Sequence, residues 1–280
     1  MTGTLLSFCV MAIAARELSG EVGTFQILFI RSSIGLAVIS LIIAKQPQGF
    51  FLSTQRLKLH VFRNVFHFAG QYGWFLGIGL LPLAEVFALE FTVPIWTLLI
   101  STLFLRETLN VKKVLSVLLG FMGVFVILNP GSEVVSRNAL IVLIAAFCYA
   151  IAHVLTKSLA GTEHTLSVIF YMCLIQLPIG LLLAMPSWVS PTVMQWEWLL
   201  VVAFSALMAH YCLTNALRLA DAGVVVTLDF LRLPSIALVG VILYGEPFDF
   251  ALIIGASLML VGNFLNLYSP ARQGEKEIDL

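Results

Sequence analysis

Between residues 3 and 268 the chain is a series of apolar runs, separated by short stretches bearing charge, proline or glycine. A helix needs about 20 mostly apolar residues to cross the hydrocarbon core of a bilayer. Cut at that punctuation, the chain offers ten candidate spans, near 3–18, 25–44, 61–80, 83–104, 112–129, 138–157, 165–185, 196–217, 222–243 and 249–268. Composition leaves little choice of solvent. Of the 280 residues 60% are hydrophobic and 11% charged, where a soluble domain carries roughly 25% charged residues. Too few polar side chains remain to cover a water-facing surface, so the fold class expected is an all-α, multi-pass integral membrane protein with the lipid bilayer as its main partner. The net charge of zero gives nucleic acid no footprint to bind. Cys9, Cys148, Cys173 and Cys212 lie scattered in apolar runs without CxxC spacing, and read as small buried hydrophobes.

Basic residues set the expected orientation. The stretches after the even-numbered spans, with the tail, hold Lys45, Arg56, Lys58, Arg63, Arg106, Lys112, Lys113, Lys157, Arg218, Arg272 and Lys276, whereas those after the odd-numbered spans hold Arg16 and Arg137. Eleven against two predicts cytoplasmic N- and C-termini. No basic n-region followed by a small-residue cleavage site opens the chain, so no signal peptide is expected. The first span is short and begins almost at Met1; either it tilts against its neighbours or the natural start lies upstream.

Shifting the chain against itself by 139 residues aligns unusual residues. Phe8-Cys9 falls on Phe147-Cys148, Gln71-Tyr72 on His210-Tyr211, and Leu89-Glu90-Phe91 on Leu228-Asp229-Phe230. Glu107 meets Glu246, Gly123 meets Gly262, and Pro94 and Pro234 match within one residue. The chain therefore reads as five spans duplicated: residues 1–130, then 138–270, then a cytoplasmic tail over 271–280. Five is odd, so the second half enters the membrane from the opposite side. Inverted-topology repeats of this kind are typical of secondary transporters.

A charge near the bilayer centre costs on the order of 2.5–3.5 kcal/mol even on the gentler insertion scale. Glu85, Glu90, Asp229, Arg31 and Arg232 all fall within candidate spans. Glu85 is near a helix end, within reach of the headgroups. Glu90 lies roughly 10 Å below the start of its span at 1.5 Å per residue. Pro94 lacks the N–H that would donate to the Glu90 carbonyl, so a kink is expected there, and Pro234 does the same to Phe230. Arg232 follows Asp229 by three residues and can pair with it on one helix face, or the two can line a substrate path. Arg31 stands at a depth similar to Glu90, either to neutralise it or to offer a cation to a substrate carboxylate. Gln71, Tyr72 and Trp74, with His210, Tyr211 and Asn215, are weaker path-lining candidates at repeat-related positions. Lone membrane histidines such as His67 and His153 read as hydrogen-bonded to a neighbouring helix. Gly73-x-x-x-Gly77, Ser116-x-x-x-Gly120 and Ala251-x-x-x-Gly255 suit close helix packing, within a monomer or at a homodimer interface.

Catalytic signatures are missing from the sequence. There is no HExxH, no DxxxD pair, no GxxxxGK[ST] loop and no other metal or cofactor motif, and Gly255-Ala256-Ser257 is followed by Leu258 rather than glycine.

The segments "FIRSSIGL", "RNVFHFAGQYGWFLGIGLLPLAEVFALEFTVPIWTLLISTLFLRETLN" and "RLADAGVVVTLDFLRLPSIALVGVILYGEP" resemble the EamA branch of the drug/metabolite transporter superfamily. The resemblance covers essentially the whole chain and rests on the joint order of short, degenerate motifs. It implies a ten-helix carrier in the cell (inner) membrane, working by alternating access, with spans 1–4 and 6–9 around a cavity and spans 5 and 10 peripheral. On that resemblance Arg31, Tyr72, Glu90, His210 and Asp229 match cavity-facing positions, while Glu107 and Glu246 end spans 4 and 9. The short first span departs from the family pattern. The substrate classes implied are small polar metabolites: amino acids and derivatives, S-adenosylmethionine, riboflavin or carboxylates. No cofactor is implied. Glu90 is a candidate carrier of a coupling proton and equally a candidate fixed counter-charge. The competing reading is a non-transporting multi-span protein, such as a receptor or chaperone subunit.

Overall fold

The computed structural model describes residues 1–46, 54–104, 111–128, 137–220, 225, 229, 232–247 and 250–267. Among them the regular structure is helical throughout. The helices are α1 (Thr2–Glu17), α2 (Thr24–Ala44), α3 (Leu57–Leu80), α4 (Leu83–Glu90), α5 (Val93–Phe104), α6 (Val111–Leu128), α7 (Arg137–Ala160), α8 (Thr165–Ala184), α9 (Val193–Leu219), α10 (Arg232–Tyr244) and α11 (Phe250–Leu267), with a 3₁₀ turn at Met185–Ser187. Glu107 and the tail 271–280 lie outside the described residues.

Among the described residues five segments are long and apolar enough to cross a membrane: Thr24–Ala44, Leu83–Ile100, Arg137–Ala160, Thr165–Ser187 and Val193–Leu219. At 21 residues α2 is about 32 Å long, which matches the hydrocarbon thickness. Shorter apolar helices run over Val114–Gly123, Ser235–Tyr244 and Ile253–Gly262. Local chemistry sets several ends. Thr192 and Gln195 exchange side-chain and backbone bonds as a capping box at the start of α9, and the His164 ring accepts from the Leu166 N–H at the start of α8.

The polarity of the bundle is inverted relative to a water-soluble protein. Leu41, Phe62, Phe125, Leu182, Phe204 and Phe250 are exposed, while Arg31, Arg63, Asn64, His67, Gln71, Gln176 and Arg232 are buried. Exposed apolar surface on this scale requires a lipid environment. Arg63, counted above among cytoplasmic loop cations, is a correction: it sits inside α3, donating to Thr156 Oγ1 (3.0 Å) and Asn64 Oδ1 (2.7 Å).

Helices pack as α1 on α9, α2 on α8, α3 on α7 and α6 on α11, with α4 against α10. Small residues make the closest crossings. A Cβ at Gly77 of α3 would lie 2.5 Å from Val142 Cγ2 of α7, and one at Gly123 of α6 would lie 2.5 Å from the Gly255 carbonyl of α11. Backbone contact this close gives dispersion contacts where lipid offers no hydrophobic drive.

Candidate functional site

The fourth apolar segment is two helices rather than one. α4 ends at Glu90, Phe91 and Thr92 form a turn, and α5 starts at Val93 with Pro94 in its first turn. Proline is tolerated in that first turn because its missing N–H would be unpaired anyway. Thr92 repairs the break: its hydroxyl donates to the Leu89 carbonyl (2.8 Å) and accepts from Trp96 Nε1 (3.1 Å), while its own carbonyl accepts from Ile95 and Trp96. Interrupted backbone at membrane depth is tolerated only where protein or a cavity receives it.

Glu90, the last residue of α4, faces such a cavity. Its Oε1 accepts from Arg232 Nη2 at 2.9 Å and its Oε2 from Trp74 Nε1 at 2.7 Å. The same Arg232 nitrogen donates to Asp229 Oδ2 at 2.6 Å. Arg232 is 1% exposed, and its guanidinium lies over the rings of Phe8 (4.6 Å) and Phe87 (4.8 Å). A buried guanidinium between two carboxylates, with aromatic faces on its flanks, is held by charge-assisted hydrogen bonds and cation–π attraction together. The pairing of Asp229 with Arg232 is real, but Arg232 also reaches across to Glu90.

Arg31 enters the cavity from α2 and is 4% exposed. Its Nη2 donates to Gln71 Oε1 and to Gln176 Oε1, each at 2.8 Å. Of the two roles expected of Arg31, the first, neutralising Glu90, is therefore corrected. Arg31 inserts between α3 and α8, where two amide oxygens receive it, and the counter-charge of Glu90 is Arg232. Gln176 Nε2 in turn contacts His67 Nδ1 at 2.8 Å and Asn64 Oδ1 at 3.2 Å. The His67 and His210 rings lie edge to face with centroids 4.8 Å apart.

The cavity is lined from α1 by Phe8 and Met11, from α3 by His67, Gln71, Trp74 and Phe75, from α7 by Tyr149 and His153, and from α9 by His210 and Leu213. Arg31, Glu90, Asp229 and Arg232 complete the wall among the described residues. Over residues 1–129, and again over 137–268, the chain matches the EamA-like transporter family. The chain belongs to the EamA-like transporter family.

This EamA-like transporter is 23% identical over 278 residues to the S-adenosylmethionine uptake transporter of Rickettsia bellii, covering 98% of this chain and 94% of that one. It is 33% identical over 222 residues to the riboflavin transporter of Brucella anthropi, covering 75% and 78%. It is 27% identical over 257 residues to a pseudopaline exporter of Pseudomonas aeruginosa, covering 91% and 90%. A solved crystal structure superimposes with a TM-score of 0.70 at 19% identity, over 94% of this chain and 93% of that one, and shows the shared fold. The protein is thus a multi-pass membrane transport protein and not an enzyme.

Of the ten path-lining candidates named above, seven meet at the cavity of this EamA-like transporter: Arg31, Gln71, Trp74, Glu90, His210, Asp229 and Arg232. Three do not. Tyr72 stacks on Phe25 (ring centroids 4.3 Å apart), Tyr211 is 44% exposed on α9, and Asn215 bonds the Tyr211 carbonyl and Thr165. The reason is helical phase: Tyr72 and Tyr211 each follow a lining residue by one position, which turns them about 100° away at 3.6 residues per turn. Pro234 is the third residue of α10, and Phe230, whose carbonyl it was expected to free, lies outside the described residues. Gln176 was missed. It is one amide in an apolar run, and its counterpart in the 139-residue shift is Ala37, so the repeat carried no hint of it. His67 does bond a neighbouring helix through Gln176, and it lines the cavity as well.

Proposed function

We propose that this EamA-like transporter is a secondary carrier that moves a small polar organic metabolite across the cell's inner membrane by alternating access. The observation that carries the reading is the inverted polarity: a lipid-facing exterior around a cavity lined by Arg31, Glu90, Asp229, Arg232, Gln71, Trp74 and His210. Charged residues at membrane depth mark a substrate or ion path. Relatives named for S-adenosylmethionine, riboflavin and pseudopaline support a small-metabolite cargo. With no nucleotide-binding loop in the sequence, the driving force is a gradient or exchange.

The architecture belonging to this reading has ten spans in two inverted five-span halves, with both termini cytoplasmic. Support comes from the family match falling twice on the chain. The packing also maps onto itself under exchange of the halves: α1 on α9 corresponds to α7 on α3, while α2 on α8 and α6 on α11 correspond to themselves. A third support joins the two ends. Arg16 donates to the Leu81 carbonyl at 2.7 Å, and Lys157 donates to the Ala220 carbonyl at 2.7 Å, with Leu81 and Ala220 separated by the same 139 residues.

The test is a metabolite uptake panel in proteoliposomes, with and without a pH gradient. Saturable uptake of one compound, lost in Glu90→Gln, is expected, and dependence on the gradient would make Glu90 the bearer of a coupling proton. Binding without flux would instead identify a receptor or chaperone subunit.

A further inference from the structure

The charges around the cavity are sorted. Glu90, Asp229 and Arg232 form one bonded group that formally carries a single net negative charge. Arg31 stands apart from them with a single positive charge. Its two acceptors are neutral amides, which orient the guanidinium without cancelling its charge. Among the described residues its Nε–H and Nη1 hydrogens have no acceptor, although the side chain is 4% exposed. An arginine presents five N–H donors, so most of this one is unused.

The negative group also has one open carboxylate oxygen, beside one open N–H at Arg232 Nε. Both oxygens of Glu90 are occupied, by Arg232 and Trp74, and Oδ2 of Asp229 is occupied by Arg232. Asp229 Oδ1 is buried and has no partner among the described residues. Among the described lining residues the unused donors are those of Arg31, with Gln71 Nε2 and Arg232 Nε, His153 Nδ1 is unpartnered, the unused carboxylate oxygen is on Asp229, and the four charges sum to zero.

We infer that this cavity selects a zwitterion, taking a substrate carboxylate on Arg31 and a substrate cationic group on Asp229. The inference rests on the carrier reading above and narrows its substrate class. Leaving a buried charge or polar group without a partner is what makes it costly. A neutral substrate leaves both open positions unmatched. A plain anion satisfies Arg31 and leaves the negative group uncompensated; a plain cation does the reverse. A zwitterion fills both and keeps the total charge of the occupied cavity at zero. Discrimination by groups left unpaired is far stronger than discrimination by apolar fit.

The purified full-length protein, in detergent for binding and in proteoliposomes for flux, is tested against four probe classes. These are zwitterions (α-amino acids with uncharged side chains), the same molecules lacking the carboxylate, carboxylic acids lacking the amine, and riboflavin. The tightest binder is expected to be a zwitterion, with its decarboxylated analogue weaker by about 100-fold. Arg31→Gln should erase that difference while Arg31→Lys keeps part of it, and Asp229→Asn should erase the preference over the amine-free acid. Thermal unfolding of each variant separates lost recognition from lost folding. Riboflavin or a simple acid binding best overturns the inference and leaves the carrier reading standing. So does a carboxylate preference that survives Arg31→Gln, and so does failure of every zwitterion to bind. Zwitterion binding without flux leaves the inference standing and overturns the carrier reading.

Discussion

Replacing Arg232 with methionine strands Glu90 and Asp229 without the cation that both contact, at 2.9 Å and 2.6 Å. The side chain of Arg232 is 2% exposed, so water cannot take its place. Removing one partner from a buried ionic group costs about 3–5 kcal/mol. A linear methionine fills most of the vacated volume, so little of the loss is a cavity effect. At about 2–4 °C per kcal/mol for a chain of this size, the melting temperature should fall by about 6–20 °C. Adding Glu90→Gln and Asp229→Asn to Arg232→Met removes the stranded charges and should restore most of the loss. That recovery is the diagnostic result, because a purely steric role for Arg232 predicts none. The assay is thermal unfolding of the detergent-purified protein followed by size-exclusion fluorescence. A single variant within about 2 °C of wild type, corresponding to under about 1 kcal/mol, would refute the reasoning. A triple variant no more stable than the single would do so equally.

Gln176→Leu should lower uptake at least tenfold, because Arg31 and His67 both lean on that amide, whereas Tyr211→Ala should leave uptake at the wild-type level; a matched pair of transport curves checks both. Gly77→Val overpacks α3 against Val142 and should cost about 1–3 kcal/mol, with partial relief from Val142→Ala in the same melting assay. Glu246→Gln removes the charged partner of Arg16 (2.8 Å) and weakens the acceptor for the Leu83 N–H at the start of α4. It should lower stability by about 1 kcal/mol, and a melting curve unchanged by Glu246→Gln would dismiss that contact as a stabiliser.

The apolar runs made the helices legible, because hydrocarbon thickness and helix rise together demand about 20 apolar residues. The break after Glu90 was legible for a local reason: Pro94 lacks the N–H that would continue the ladder. Glu90, Asp229 and Arg232 stood out because a charge at depth is expensive and rare. Which groups pair was not legible. In the sequence Arg232 has Asp229 as a local partner and Arg31 has none, which left Glu90 open to Arg31; only the placement of α10 beside α4 gives Glu90 to Arg232. Helical phase was equally hidden, since a residue one position from a lining residue points elsewhere, as Tyr72 and Tyr211 do. Gln176 escaped because an uncharged amide costs less than a charge in lipid and so draws less notice, although it is 0% exposed and joins Arg31, His67 and Asn64.

Counterflow measures the central claim most directly. Proteoliposomes are loaded with unlabelled compound from the class that binds best, diluted, and given a trace of labelled compound outside. A carrier that alternates one cavity between two faces predicts a transient accumulation of label above its external concentration, abolished in Glu90→Gln. Label that only equilibrates, or that stops at the amount of protein present, would contradict it.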